Sequence, residues 1–179
     1  MTPNIEIRPT DLSDPAEAAA WLALLDHYAR DPMGGGRPLS REAREHLVAR
    51  LRTRRDFVGV MAWAGNQGLG LANGFEGFST FAARPLLNLH DIVVRDSHRG
   101  RGIGRRLLRA MEAAARQRGC CKLTLEVLSN NHRALASYRH FGFRDYQLDP
   151  EAGVAHFLEK PIDAPPPAEP ADAHALTRE

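Results

Sequence analysis

Val93-Val94-Arg95-Asp96-Ser97-His98-Arg99-Gly100-Arg101-Gly102-Ile103-Gly104-Arg105-Arg106-Leu107-Leu108 is the stretch that decides how this chain is read. The apolar run from Leu89 to Val94 predicts a buried strand, followed by a short polar turn. Glycines then alternate with arginines, and a helical pattern begins. The start of a helix leaves backbone N–H groups unpaired, and its dipole adds partial positive charge there. A strand, a glycine loop and a helix start in that order form a cradle for phosphate. Gly100, Gly102 and Gly104 allow tight turns and close approach of a ligand. Arg99, Arg101, Arg105 and Arg106 add full charges suited to phosphate oxygens.

Two common phosphate loops do not fit. The dinucleotide fingerprint needs a third glycine three residues after its second, and that place holds Arg105. The nucleoside-triphosphate loop ends in Gly-Lys-Ser/Thr, and no lysine is here. What fits is Arg-x-x-Gly-x-Gly, written here as Arg99-Gly100-Arg101-Gly102-Ile103-Gly104. This resembles the pyrophosphate loop of the GNAT superfamily of N-acetyltransferases. Downstream, Asn131-His132-Arg133-Ala134-Leu135-Ala136-Ser137-Tyr138-Arg139-His140-Phe141-Gly142-Phe143 resembles the second signature of that family, an Asn-x-x-Ala helix with a tyrosine, closed by Gly-Phe. The resemblance covers roughly residues 5 to 160 and is strongest from Leu89 to Phe143.

The chain of 179 residues is read as an acetyltransferase-like domain over 1–162 and a Pro/Ala-rich tail over 163–179 expected to be disordered. The formal net charge of +2 does not argue for nucleic acid. The arginines gather at a glycine loop instead of spreading with aromatics along a face, so a nucleic-acid partner is set aside. No apolar run is long enough to span a membrane, and no secretory leader is visible. Cys120 and Cys121 read as small buried residues, and the default setting is a reducing cytoplasm. No metal-ligand spacing is present, and a homodimer is left open.

In chain order, Ile5 to Arg8 alternates as a first strand. Ser13 or Asp14, with Pro15, opens a helix carrying Ala18, Trp21, Leu22, Leu25 and Tyr28 at helical spacing. Ser40 caps a second helix. Strands follow over 56–63, 69–78 (broken by glycines) and 86–94. A helix ending at Gly119 comes next, then a strand from Cys121 to Leu128. A helix capped by Asn130 or Ser129 and a last strand from Val154 to Glu159 complete the pattern. The fold class is α/β: a mixed sheet covered by helices, in the order strand, two helices, three strands, helix, strand, helix, strand, which the resemblance also implies.

The resemblance implies transfer of acetyl from the thioester of acetyl-CoA to an amine acceptor by direct attack. Such chemistry needs a base for the ammonium proton and an acid for the leaving thiolate. Tyr138 matches the tyrosine that often donates to sulfur, and a phenol with its usual pKa of about 10 holds its proton at neutral pH. Asn131 matches the asparagine that commonly holds the pantetheine arm or nearby backbone, and it is equally a helix cap. Ile92, Val93 and Val94 are expected to bind through backbone where two parallel strands separate. Arg99, Gly100, Arg101, Gly102, Ile103, Gly104 and Arg105, with Asn131, Ala134 and Tyr138, complete the expected cofactor contacts. Family members often carry a glutamate on the strand before the loop. Here that place holds His90 or Asp91, with His90 preferred because it titrates near neutrality. On a regular strand the two face opposite sides, so one lines the cleft. Glu126 and Glu76 are other candidates for the base, and Glu76 and Asp31 could attract a cationic amine. The alternative is a module that binds acyl-CoA without catalysis. The acceptor itself is not readable from the sequence.

Overall fold

The computed structural model describes residues 4–146, 151, 155–160 and 162. Its backbone falls into two compact units, Met1–Arg144 and Asp145–Glu179. The first runs β1 (Ile5–Pro9), α1 (Pro15–Arg30), α2 (Arg41–Arg52), β2 (Phe57–Ala64), β3 (Gln67–Ser79) and β4 (Arg84–Val94). A short 3-10 turn (Asp96–His98), α3 (Ile103–Gln117), β5 (Leu123–Leu125) and α4 (His132–Phe141) follow.

Local chemistry places the helix ends. The Asp14 carboxylate accepts from the Ala16 and Glu17 amides, and Pro15 occupies the first turn of α1. The Ser40 hydroxyl caps α2 by accepting from the Ala43 amide. Of the caps the sequence offers for α4, it is the Asn131 side chain, not Asn130 or Ser129, that accepts from the Ala134 amide at 3.2 Å.

The five strands lie in the order β1-β2-β3-β4-β5. The first four form an antiparallel meander, and β4 pairs with β5 in parallel. Alternation sorts β2 cleanly onto two faces. Val58, Val60 and Ala62 join Leu69, Leu87 and Leu89 against Ile103, Leu107, Leu108 and Met111 of α3. Met61 and Trp63 join Leu71 and Val93 against Ala18, Trp21, Leu24 and Leu25 of α1 and Leu51 of α2. The sheet is thus buried on both faces, between α3 and the α1–α2 pair.

Three expectations change. The glycines do not break the return strand: β3 is continuous, and two of them permit close backbone approach. A side chain at Gly74 would put its Cβ 2.4 Å from the Asn88 carbonyl, and one at Gly70 would sit 2.5 Å from the Val93 carbonyl. The strand expected from Cys121 to Leu128 shrinks to Leu123–Leu125, because β5 finds a partner only opposite Leu87 to Leu89. The last strand expected at 154–159 is not formed over 155–160, where Phe157 and Leu158 remain exposed and so have no face to bury. Residue 154 and the 163–179 tail lie outside the described residues.

Candidate acetyl-transfer site

The loop after β4 delivers a helix start with no cap of its own. Gly102 stands at the N-cap of α3 in the left-handed region, φ 75°, and carries no side chain to accept an amide. Gly100 is likewise left-handed at φ 78°. Around Gly100, Gly102 and Gly104 the space that a Cβ would fill is open to 4 Å. Among the described residues, the amides from Gly100 to Arg105 have no hydrogen-bond partner. Arg101 and Arg105 are exposed and make no ion pair among the described residues. A row of free N–H groups at a helix N-terminus, flanked by unpaired guanidinium groups, is suited to a phosphate or pyrophosphate.

Other arginines of the stretch hold the loop in place. Arg99 Nε donates to the Val94 carbonyl at 3.1 Å. Its Nη2 lies 3.0 Å from Asp31, just beyond α1, and 2.8 Å from Asp96. The Asp31 carboxyl sits below its ordinary range because it accepts from the Met33 amide and from Arg99. Arg106 donates to the Ile5 carbonyl at 2.6 Å, tying α3 to β1. His98 faces the Ser97 hydroxyl at 2.9 Å.

Just before the loop the sheet opens. β4 and β5 stay in register only from Leu87↔Leu123 to Leu89↔Leu125. β3 continues beside β4 up to Val94. Among the described residues, one edge of β4 therefore lacks a strand neighbour from His90 onward. The residues expected to bind through backbone lie there: Val93 buries its side chain on the α1–α2 face, while Ile92 and Val94 pack toward α3.

A bulge sits where the sheet opens. Gly74 pairs with Leu89 and Asn73 with Asp91, leaving His90 as the extra residue. This overturns the expectation that His90 and Asp91 face opposite sides. Both turn toward the α1–α2 face, but into different surroundings. The His90 ring is exposed and meets Phe75 edge-on, centroids 4.9 Å apart. Asp91 is half-buried and accepts from the Asn73 amide at 3.4 Å. Burial pushes the Asp91 carboxyl above its usual range, against smaller opposing effects from Asn73 and His90.

Tyr138 stands on α4. It is half-buried, with its ring edge-on to Phe143 at 5.8 Å. Burial, then the nearby Tyr28 oxygen, pushes its phenol up to about 12. Tyr28 is itself raised by burial and by Asp91 and Asp31. Tyr138 packs with the α3-side cluster and Tyr28 with the α1–α2 cluster. The two phenols thus belong to opposite faces of the sheet, yet Tyr28 bears on Tyr138. Asn131 spends its side-chain oxygen on the Ala134 amide, so the asparagine and alanine of the motif build the helix start that carries Tyr138.

The remaining candidates are engaged elsewhere. Glu76 pairs with Arg118 at 3.0 Å, and Glu126 accepts from Asn88 at 3.2 Å. Asp31 is taken by Arg99. No cluster of metal-ligating side chains occurs among the described residues. Two clefts of about 450 and 470 Å³ lie away from this site, one beside Cys120 and Phe141 and one between β1 and α3. Sequence reading set Trp21 and Tyr28 at helical spacing on the first helix and passed over Asn73. The available signal was an amide side chain directly after the run Leu69 to Ala72, within a strand whose residues there are buried.

Residues 20–143 match the model of the acetyltransferase (GNAT) family. The chain is 43% identical over 76 residues to streptothricin acetyltransferase of Streptomyces lavendulae, a match spanning 42% of this chain and 40% of that protein. It is 37% identical over 68 residues to thialysine N-epsilon-acetyltransferase of Bos taurus, spanning 38% and 39% of the two chains. These matches thus span about two fifths of each relative's length. An aminoglycoside N-acetyltransferase solved with CoA superposes with a TM-score of 0.68 over 89% of this chain and 97% of that one, at 16% identity, which is a likeness of fold. The glycine-bent helix start, the opened strand edge and a match over well more than half the sequence agree, and the chain belongs to the GNAT acetyltransferase family.

Proposed function

We propose that this protein is an N-acetyltransferase that moves acetyl from acetyl-CoA to a primary amine of a small molecule. The observation that carries the reading is the uncapped start of α3, with free amides from Gly100 to Arg105, set directly after the opened edge of β4. The α3 amides, Arg101 and Arg105 hold the pyrophosphate, and the free edge of Ile92 to Val94 holds the amide-bearing arm. Acetyl-CoA supplies a thioester whose acyl carbon accepts an amine. Asp91 takes the proton of the incoming ammonium, and its raised pKa brings its basicity closer to neutrality. As the C–N bond forms and the C–S bond breaks, Tyr138 Oη gives its proton to sulfur, and the surplus proton on the new amide nitrogen returns to the phenolate. A phenol at about 12 is protonated at every working pH.

The acceptor is placed on the α1–α2 side of the opening, next to Tyr28, Phe75 and His90. The small-molecule amines named by the relatives above support that class. We place the protein in the cytoplasm, in keeping with its free Cys120 and Cys121. Among the described residues, no helix is long and apolar enough to cross a membrane.

The test is release of CoA thiol from acetyl-CoA across a panel of polyamines, aminoglycosides, streptothricin-like amines and lysine analogues, with calorimetry for CoA binding. Amine-dependent thiol release is the expected result. CoA binding with no release for any amine would replace the enzyme by the acyl-CoA-binding module. Absence of binding would remove the site assignment altogether.

A further inference from the structure

We propose that Trp21 and Asn73 act as positioning residues for Asp91, through a hydrogen-bonded chain running from α1 across β3 to the bulge of β4. The inference rests on the reading of Asp91 as the proton acceptor. Trp21 is 1% exposed and Asn73 2% exposed, so neither side chain is hydrated. The indole Nε1 donates to Asn73 Oδ1 at 2.9 Å. An indole nitrogen can only donate, so the amide oxygen must face it. The amide nitrogen of Asn73 is thereby turned toward Asp91, where it donates to Oδ2 at 3.4 Å. One side chain thus dictates the orientation of the next, and the carboxylate always meets a donor.

The arrangement has a cause in the fold. The bulge falls between Asn73 and Gly74 and brings Asp91 opposite Asn73 instead of one place away. Were His90 paired as in a regular strand, alternation would turn Asp91 to the α3 face, away from Trp21. Trp21 is held in turn by Phe57, edge-on with ring centroids 6.2 Å apart. The bond to Asp91 is long and comes from a neutral donor. It steers the carboxylate while leaving it basic, which a bonded arginine would not do. The titratable groups bearing on Asp91 are His90 on its own strand and Tyr28 from α1, and no Lys or Arg forms an ion pair with it among the described residues.

A purely structural role, in which Asn73 only satisfies the buried indole, predicts lost stability with unchanged pH dependence. The positioning role predicts a moved pH dependence. The experiment is kcat/KM against pH for the best amine found, on the full chain and four variants, each checked for folding by circular dichroism and CoA binding. Asp91→Asn is expected to abolish the acid limb. Asn73→Ala removes the donor and should raise the limb by about one pH unit, which is about tenfold in kcat/KM below it. Asn73→Asp keeps the shape but replaces the donor by a like charge, and should raise it further. Trp21→Phe keeps a ring in the slot but frees the amide, and should raise it in the same direction by less. This variant also supplies the comparison if an Asn73 substitution fails to fold. If Asp91→Asn abolishes the limb while the Asn73 and Trp21 variants leave it in place, the positioning role is overturned and the reading of Asp91 stands. If Asp91→Asn retains the limb, the reading of Asp91 falls and the positioning role falls with it.

Discussion

The two halves of β4 are built from similar residues and do opposite work. From Arg84 to Leu89 the strand is flanked by β3 on one side and, at its last three positions, by β5 on the other, with Leu87 fully buried and Leu89 2% exposed. From His90 to Val94 it keeps β3 but has lost β5, and it carries a bulge and a half-buried carboxylate. The first half carries the core leucines Leu87 and Leu89, and from Leu87 to Leu89 it is paired on both edges. The second leaves main-chain groups open at the rim of a buried sheet. Such groups are costly unless something polar meets them. The proposed binding site lies where pairing stops, and the side chains there need not be polar to belong to it.

The sharpest way to break the comparison is to remove the proposed acid that α4 supplies. Tyr138→Phe removes one oxygen and leaves the ring against Phe143. We expect the fold and CoA affinity to be retained and turnover to fall by about 10² to 10⁴, the usual contribution of one positioned acid. That loss corresponds to about 3 to 5 kcal/mol of transition-state stabilisation. Steady-state kinetics decides it. Parental turnover with chemistry rate-limiting would make Tyr138 a packing residue like Leu87, and another group would have to protonate sulfur. Because the phenol lies at about 12, no alkaline limb below about pH 11 should trace to it.

A smaller effect is expected one step along the chain, at Gly102. Gly102→Asp places a carboxylate among the free amides and forces a side chain into a φ of 75°. The backbone strain is about 1 to 2 kcal/mol for an ordinary residue and less for aspartate, which tolerates this region. A negative charge at a helix start returns part of that. Stability should therefore change little, whereas a bound pyrophosphate would meet a like charge. We expect CoA affinity measured by calorimetry to fall at least about tenfold, roughly 1.4 kcal/mol. Unchanged affinity would remove the phosphate role from the loop and leave it a tight strand-to-helix turn.

How much of this was legible in sequence follows the same division. The strand, glycine loop and α3 are local: Gly100, Gly102 and the apolar spacing of Ile103, Leu107 and Met111 specify them without distant partners. The cap of α4 was readable to within a residue for the same reason. The bulge was not. It depends on two strands slipping by one residue, and Asn73 and His90 signal it only once β3 and β4 are aligned. Treating β4 as regular therefore put His90 and Asp91 on opposite faces. Arg99 could not be separated from Arg101 by type. Only the fold shows that Asp31, 68 residues earlier, lies 3.0 Å away and engages it. The end of the chain misled for a different reason: an apolar pair is not enough for a strand, and over 155–160 Phe157 and Leu158 stay exposed with no strand formed.

The smallest expected effect concerns the stability cost of the open half. The Asp91 carboxyl is raised above its ordinary 3.8 chiefly by burial, so folding favours its protonated form. A carboxyl whose pKa rises on folding adds stability below its unfolded value. That contribution is lost as pH climbs through the folded value. Each unit of rise is worth about 1.4 kcal/mol. Asp91→Asn keeps the shape and removes the ionisation. The difference in unfolding free energy, variant minus parent, should therefore grow as pH rises from below 3.8 through the raised value and level off above it. A comparable neutral change in the closed half, Leu89→Met, should give a difference that does not vary with pH. Denaturant unfolding across that pH range measures both. A flat difference for Asp91→Asn would mean that the carboxylate is hydrated in the folded chain. The contrast between the two halves of β4 would then lie in main-chain pairing alone.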